Sequence, residues 1–79
     1  MNDSIIFKNH VGQKITNDAN YLGFINSILQ INSSEYDDIY YFKNVSVAGT
    51  MLFVKGNNYL YVTLGSGRPI ISTERGTLY

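Results

Sequence analysis

Three groups of side chains in this chain have types and spacing that bear on chemistry. They are the lone His10, the acids Glu35, Asp37 and Asp38, and the run Gly65-Ser66-Gly67-Arg68 with Arg75 beyond it. A catalytic triad needs a nucleophile, a base and an orienting group within hydrogen-bond reach. His10 is the sole imidazole and sits in a polar stretch near the N-terminus with no nucleophile motif around it. Paired carboxylates can divide acid and base work between them, but three neighbouring acids without a framed pocket read as solvated surface charge. Their spacing also lacks the alternating acids and the glycine of a calcium loop. The expectation is a protein that is not an enzyme and carries neither metal nor cofactor.

The glycine-rich run has two readings. Closely spaced glycines expose backbone N–H groups to an anion, and a guanidinium supplies a fork-shaped donor for phosphate. Phosphate loops of the nucleotide-binding kind open into a helix whose N-terminus completes the site, whereas Pro69-Ile70-Ile71 continues as a strand. A plain turn is therefore the first reading. In the second, Ser66, Gly67, Arg68, Thr73 and Arg75 converge on a phosphate while Tyr59 or Tyr61 stacks on a base, which makes a small phosphorylated or nucleotide-like molecule the ligand.

Aromatic residues concentrate in Thr50 to Leu64, TMLFVKGNNYLYVTL. With a turn over Gly56-Asn57-Asn58, position 55 pairs with 59 and position 53 with 61. Phe53, Tyr59 and Tyr61 then share a face with Met51, and Leu52, Val54, Leu60, Val62 and Leu64 share the other. Branched hydrocarbons suffice for a small core, so the tyrosine-bearing face is expected to look outwards and to touch something else. Tyrosine is a preferred interface residue because it joins an apolar body to a polar tip. Tyr41, Phe53, Tyr59 and Tyr61 are the expected anchors, and replacing Tyr59 and Tyr61 by Ser is expected to abolish binding without unfolding the domain.

The elements that must position these side chains follow from periodicity. Ser4 to Lys8 reads as a strand and Asn9-His10-Val11-Gly12 as a turn. From Asp18 to about Ile31 the apolar period becomes helical, with Tyr21, Leu22, Phe24, Ile25, Ile28, Leu29 and Ile31 on one side of the wheel. Thr16, Asn17 and Asp18 offer N-cap oxygens, and Asn32-Ser33-Ser34 ends the helix. The apolar arc is wide enough for one edge to reach a second subunit. Ile39 to Lys43, Thr50 to Lys55, Tyr59 to Leu64 and Ile70 to Thr73 read as further strands, with a last turn at Glu74-Arg75-Gly76. The expected fold class is α+β, a single small domain over residues 1–79, with an antiparallel sheet of four to five strands and one amphipathic helix, about residues 18–31, packed across one face.

Composition bounds the partners. A chain of 79 residues buries only about 60–65% of its unfolded surface, and with no cysteine it has no disulfide to compensate. Self-association is the remaining aid, so a homo-oligomer is expected. Six basic residues balance six acids, which speaks against binding a nucleic-acid polymer. The charges are uneven, net −3 over residues 1–40 and +3 over residues 41–79. The longest apolar stretch, Val45 to Val54, is broken by polar residues and too short to span a bilayer, so no membrane partner and a cytoplasmic location are expected. Abundant Asn, Ile and Tyr fit an AT-rich coding sequence such as that of a low-GC bacterium or its phages.

These readings converge on a non-catalytic binding protein, an inhibitor or accessory factor of a phage or other mobile element that docks a protein partner through its tyrosine-rich sheet face. The alternatives are an oligomer that sequesters a nucleotide-like ligand and a structural homo-oligomer subunit whose aromatic face is its own interface.

Overall fold

The computed structural model describes residues 4–78. Six strands form one antiparallel sheet in chain order: β1 (Ser4–Phe7), β2 (His10–Lys14), β3 (Asp38–Phe42), β4 (Thr50–Lys55), β5 (Asn58–Leu64) and β6 (Ile70–Thr77). A helix between β2 and β3 packs on one side, running as an α-helix over Ala19–Phe24 (α1) and as a π-helical turn over Ile25–Leu29. The class is the antiparallel α+β arrangement expected, but six strands replace four to five and the helix is shorter than 18–31.

The extra strand is β2. The chain reverses at Lys8 and Asn9, whose φ angles of 53° and 66° are both left-handed, as a type I′ hairpin turn requires. His10 to Gly12, expected as the turn, already belong to the returning strand. At the other end of the sheet, β6 runs unbroken through the expected turn at Glu74-Arg75-Gly76. Gly76 is in that strand because the Tyr59 ring lies over it: a Cβ there would sit 2.7 Å from the phenol oxygen.

The helix begins where a capping oxygen was expected. The Asp18 carboxylate accepts a hydrogen bond from the Asn20 N–H at 3.0 Å, satisfying one of the free donors of the first turn. Thr16 has a different task, accepting the Ile39 N–H at 3.0 Å and so tying the end of β2 to β3. Gln30 stops the helix by turning left-handed at φ 58° while its N–H reaches back to the Ile25 carbonyl.

The β4–β5 register departs from the expected one by a single residue. Lys55 pairs with Asn58, Val54 with Tyr59, Phe53 with Leu60 and Leu52 with Tyr61, so the turn has two residues, Gly56 and Asn57. Gly56 takes the left-handed φ of 61° that this turn needs. Side chains alternate with period two along a strand, so a one-residue slip exchanges the faces. Phe53 therefore joins Met51, Leu60, Val62 and Leu64 beneath the helix, where they meet Ile25 and Leu29. Tyr59 and Tyr61 share the opposite face with Leu52 and Val54.

That opposite face is a second core. Phe42, Leu52, Val54 and Tyr61 are buried there, with Ile5 and Phe7 of β1 packed against them. The sheet curls to achieve this. Its first hairpin comes over β5 and β6, putting the Phe7 ring 5.0 Å from both Tyr59 and Tyr61 and the Lys8 ammonium 2.8 Å from the Glu74 carboxylate.

Candidate functional site

The four expected anchors do not form one outward surface. Phe53 is fully buried beneath the helix, and Tyr61 is only 7% exposed. The Tyr61 phenol oxygen receives the Thr50 hydroxyl at 3.2 Å, so its polar tip is satisfied internally. Tyr59 is half-buried and donates its hydroxyl to Glu74 at 2.9 Å. The expectation that this face looks outwards is corrected by the curl of β1, which spends the aromatic surface on the protein's own second core. Tyr41 lies on the helix side, its ring 5.2 Å from Tyr21 and its hydroxyl donating to the Ala48 carbonyl at 3.0 Å.

Lys8, Tyr59 and Glu74 form a small polar clasp over the second core. The bond from Lys8, reinforced by that from Tyr59, holds the Glu74 carboxyl below its ordinary range. The same bond to Glu74 holds the Lys8 ammonium above its usual value, and the Tyr59 phenol is raised by its own bond to Glu74. Lys8 also stands 5.1 Å from the centre of the Tyr61 ring, within reach of its electron-rich face.

The expected phosphate residues are spread out. Ser66, Gly67 and Arg68 are exposed in the loop before β6, while Thr73 and Arg75 lie within β6 opposite Val62 and Leu60. Ile70 to Arg75 covers about 17 Å of strand at ~3.3 Å per residue, so the two guanidinium groups are anchored at different ends of β6. Arg75 lines a small cavity of about 220 Å³ with Glu35, Tyr36 and Lys55, a setting of mixed charge.

The acids serve the fold. Asp37 accepts the N–H of Gly56 at 2.8 Å and so holds the β4–β5 turn. Asp38 pairs with Lys14 at 3.2 Å and receives the Thr16 hydroxyl at 3.3 Å. Among the described residues, no group of three or more His, Cys, Asp or Glu side chains is placed to hold a metal ion, and no helix is long and apolar enough to cross a membrane.

An uncovered surface appears instead on the helix side of the first strands. Eleven helical residues (Ala19–Leu29) extend about 16 Å at ~1.5 Å each, while six strands spaced ~4.8 Å apart make a sheet about 24 Å wide. The helix packs on residues of β3 to β6 and leaves β1 and β2 bare. Ile6 and Val11, directly opposite each other in that hairpin, are 75% and 68% exposed.

Beside them the sheet opens. The β2–β3 ladder ends at Gln13–Tyr41, and beyond it β2 and the chain after β3 part around a cavity of about 840 Å³. Val11, His10, Lys43 and Asn44 line it, and Tyr21 and Tyr41 separate it from an apolar cleft of about 390 Å³ formed with Phe24, Met51 and Leu64. Of these residues only Tyr41 was expected at a site. Reading Asn9 to Gly12 as a turn hid the pairing of Val11 with Ile6, and the one legible signal was that these two apolar residues flank Lys8-Asn9; nothing in the sequence pointed to Tyr21 or Lys43 at a site.

Comparison with protein-family models, with curated proteins and with solved structures finds no match for this chain.

Proposed function

We propose that this chain is a non-catalytic binding protein, an inhibitor or accessory factor, that docks a protein partner through the helix-free face of β1 and β2 beside Tyr41. The supporting observation is the Ile6–Val11 pair. Two branched apolar side chains occupy opposed positions on a sheet face, and both stand more than two-thirds exposed where polar residues would fold as well. Isolated exposed hydrophobes are ordinary, but a cross-strand pair next to an aromatic wall forms a contiguous anchor. Tyr41, among the anchors expected from the sequence, keeps that role at the margin of this face.

Charge favours a different chain over a second copy here. Lys43 lies at the margin of the face, and the described residues lining the adjoining cavity include no acid. Two identical faces brought together across a twofold axis would set like charges near like. A partner that presents an apolar side chain flanked by Asp or Glu fits both features.

The test is a comparison of three proteins as bait in the same host lysate, with retained proteins quantified. A partner held by the wild type and by Tyr59→Phe but lost by Val11→Asp supports this face. A partner retained equally by Val11→Asp contradicts it.

A further inference from the structure

From the parting of β2 and β3 we infer a second ligand site, which adjoins the docking face and shares Val11, Tyr41 and Lys43 with it but does not require a protein partner: a cleft for a small aromatic anion, its carboxylate or phosphate in the gap between the strands and its ring against Tyr21 and Tyr41.

The gap has the donors that an anion needs. Along an antiparallel strand, the residues whose N–H and C=O groups face a given neighbour alternate. Ile15 N–H bonds to the Ile39 carbonyl at 2.8 Å, so Ile15 and Gln13 face β3, and the alternation turns the backbone of Val11 the same way. The ladder stops before Val11 finds a counterpart, and the position facing it across the gap is Lys43. The Val11 N–H thus points into a space of about 840 Å³ that is also lined by Lys43 and Asn44.

The electrostatics of the cleft have one sign. Its charged lining residues are Lys14 and Lys43, among amides and hydroxyls, and no acidic side chain lines it among the described residues. The Lys14 charge is shared with Asp38, which leaves the Lys43 ammonium as the principal cation facing a ligand. A backbone donor beside a cation favours a carboxylate or phosphate over a neutral polar group.

The neighbouring wall selects the rest of the ligand. Tyr21 and Tyr41, tilted 39° to each other, border both the charged gap and the apolar cleft. A flat ring has faces to stack on there and hydrocarbon behind it. Each of the two spaces, about 840 and 390 Å³, by itself lies in the range of small-molecule sites.

The experiment is an amide NMR titration with four probes: adenosine monophosphate, 1-naphthoate, adenosine and inorganic phosphate. Saturable shifts at Val11, Lys43 and Asn44 with either aromatic anion are expected. Adenosine, which lacks the anion, and phosphate, which lacks the ring, should bind at least tenfold more weakly. Tighter binding of the monophosphate assigns a phosphate ester, and tighter binding of naphthoate a carboxylate, each sustaining the site. Lys43→Glu, a change at an exposed side chain, should weaken the better anion at least tenfold with the rest of the spectrum intact. No saturable shift from either aromatic anion up to millimolar concentration, shifts centred on Gly65 to Arg68, or unchanged affinity in Lys43→Glu would each overturn it.

Discussion

The ring of Phe42 occupies the space that a side chain on Gly12 would need. A Cβ built on Gly12 would lie 2.6 and 2.7 Å from two ring carbons and closer still to the ring tip. Phe42 is fully buried, with the Phe7 and Tyr61 rings 6.4 and 6.0 Å away, so the ring has little room to retreat. The missing side chain lets the first hairpin fold down on the second core.

Gly12→Ala is therefore expected to destabilise the protein by about 1–3 kcal/mol, the usual cost of overpacking. Gly23, in α1 with open space around its Cβ, provides the control, since Ala there should stabilise by up to about 1 kcal/mol through helix propensity. Urea denaturation of the two variants should move the midpoint in opposite directions.

Tyr61→Ser should cost about 3–5 kcal/mol, in the range of truncating a buried aromatic side chain, because the ring is packed by Phe7 and Phe42 and its hydroxyl is bonded to Thr50. The sequence-based expectation that the Tyr59 and Tyr61 double change to Ser spares the fold is thereby reversed. Thermal unfolding followed by near-ultraviolet circular dichroism reads the outcome directly, and a variant as stable as the wild type would show that the second core is not closed.

The clasp gives a pH dependence of defined sign. Glu74 has a depressed pKa in the folded state, so its contribution is present above its ordinary value of 4.5 and is lost as pH falls through the lower folded value. Lys8 and Tyr59 have raised values, so their contributions are full below 10.5 and 10.0 respectively and fade as pH rises through the higher folded values. In Glu74→Gln the acid-side loss of stability should shrink relative to the wild type. The effect will be small and salt-sensitive because the pair is nearly half exposed. Denaturation midpoints between pH 3 and 7 for both proteins, about a pair whose acid arm lies below 4.5, measure the difference.

Removing both guanidinium groups tests the dispersed arrangement along β6. If Arg68 and Arg75 act at separate places, Arg68→Ala and Arg75→Ala should have additive effects on stability and on any phosphate affinity, within ~0.5 kcal/mol. A double-mutant cycle with strong coupling would mean that the two converge on one ligand.

How much of this was legible varies element by element. The helix was readable because its apolar spacing and the Asp18 cap agree, and only its end was misplaced, since nothing in Gln30 announces a left-handed residue. β2 was not readable: His10-Val11-Gly12-Gln13-Lys14 has one β-branched residue, and its partner turn uses Lys8, which is rarely left-handed. The tyrosine hairpin shows how a local ambiguity propagates. Gly56-Asn57 and Gly56-Asn57-Asn58 are both reasonable turns, yet choosing the longer one placed Phe53 on the wrong side of the sheet. The site near Tyr41 depends on where a ladder stops and how far a helix reaches, and both are set by packing between distant segments.

Ile6→Ser and Val11→Asp should leave stability within about 0.5 kcal/mol of the wild type, as for exposed positions elsewhere, while removing partner binding. Loss of stability in either variant, measured by urea denaturation, would mean that the face is covered within the protein itself.

The most direct measurement of the proposed docking is to pan a random peptide library on the wild-type protein and map the enriched peptides by amide and methyl chemical shifts. Enriched sequences should pair an apolar or aromatic residue with Asp or Glu. Their shifts should centre on Ile6, Val11, Gln13 and Tyr41 and vanish in Val11→Asp. Peptides that shift Tyr59 and the residues around Glu74 instead, or that bind Val11→Asp unchanged, would contradict docking through the bare face of the first hairpin.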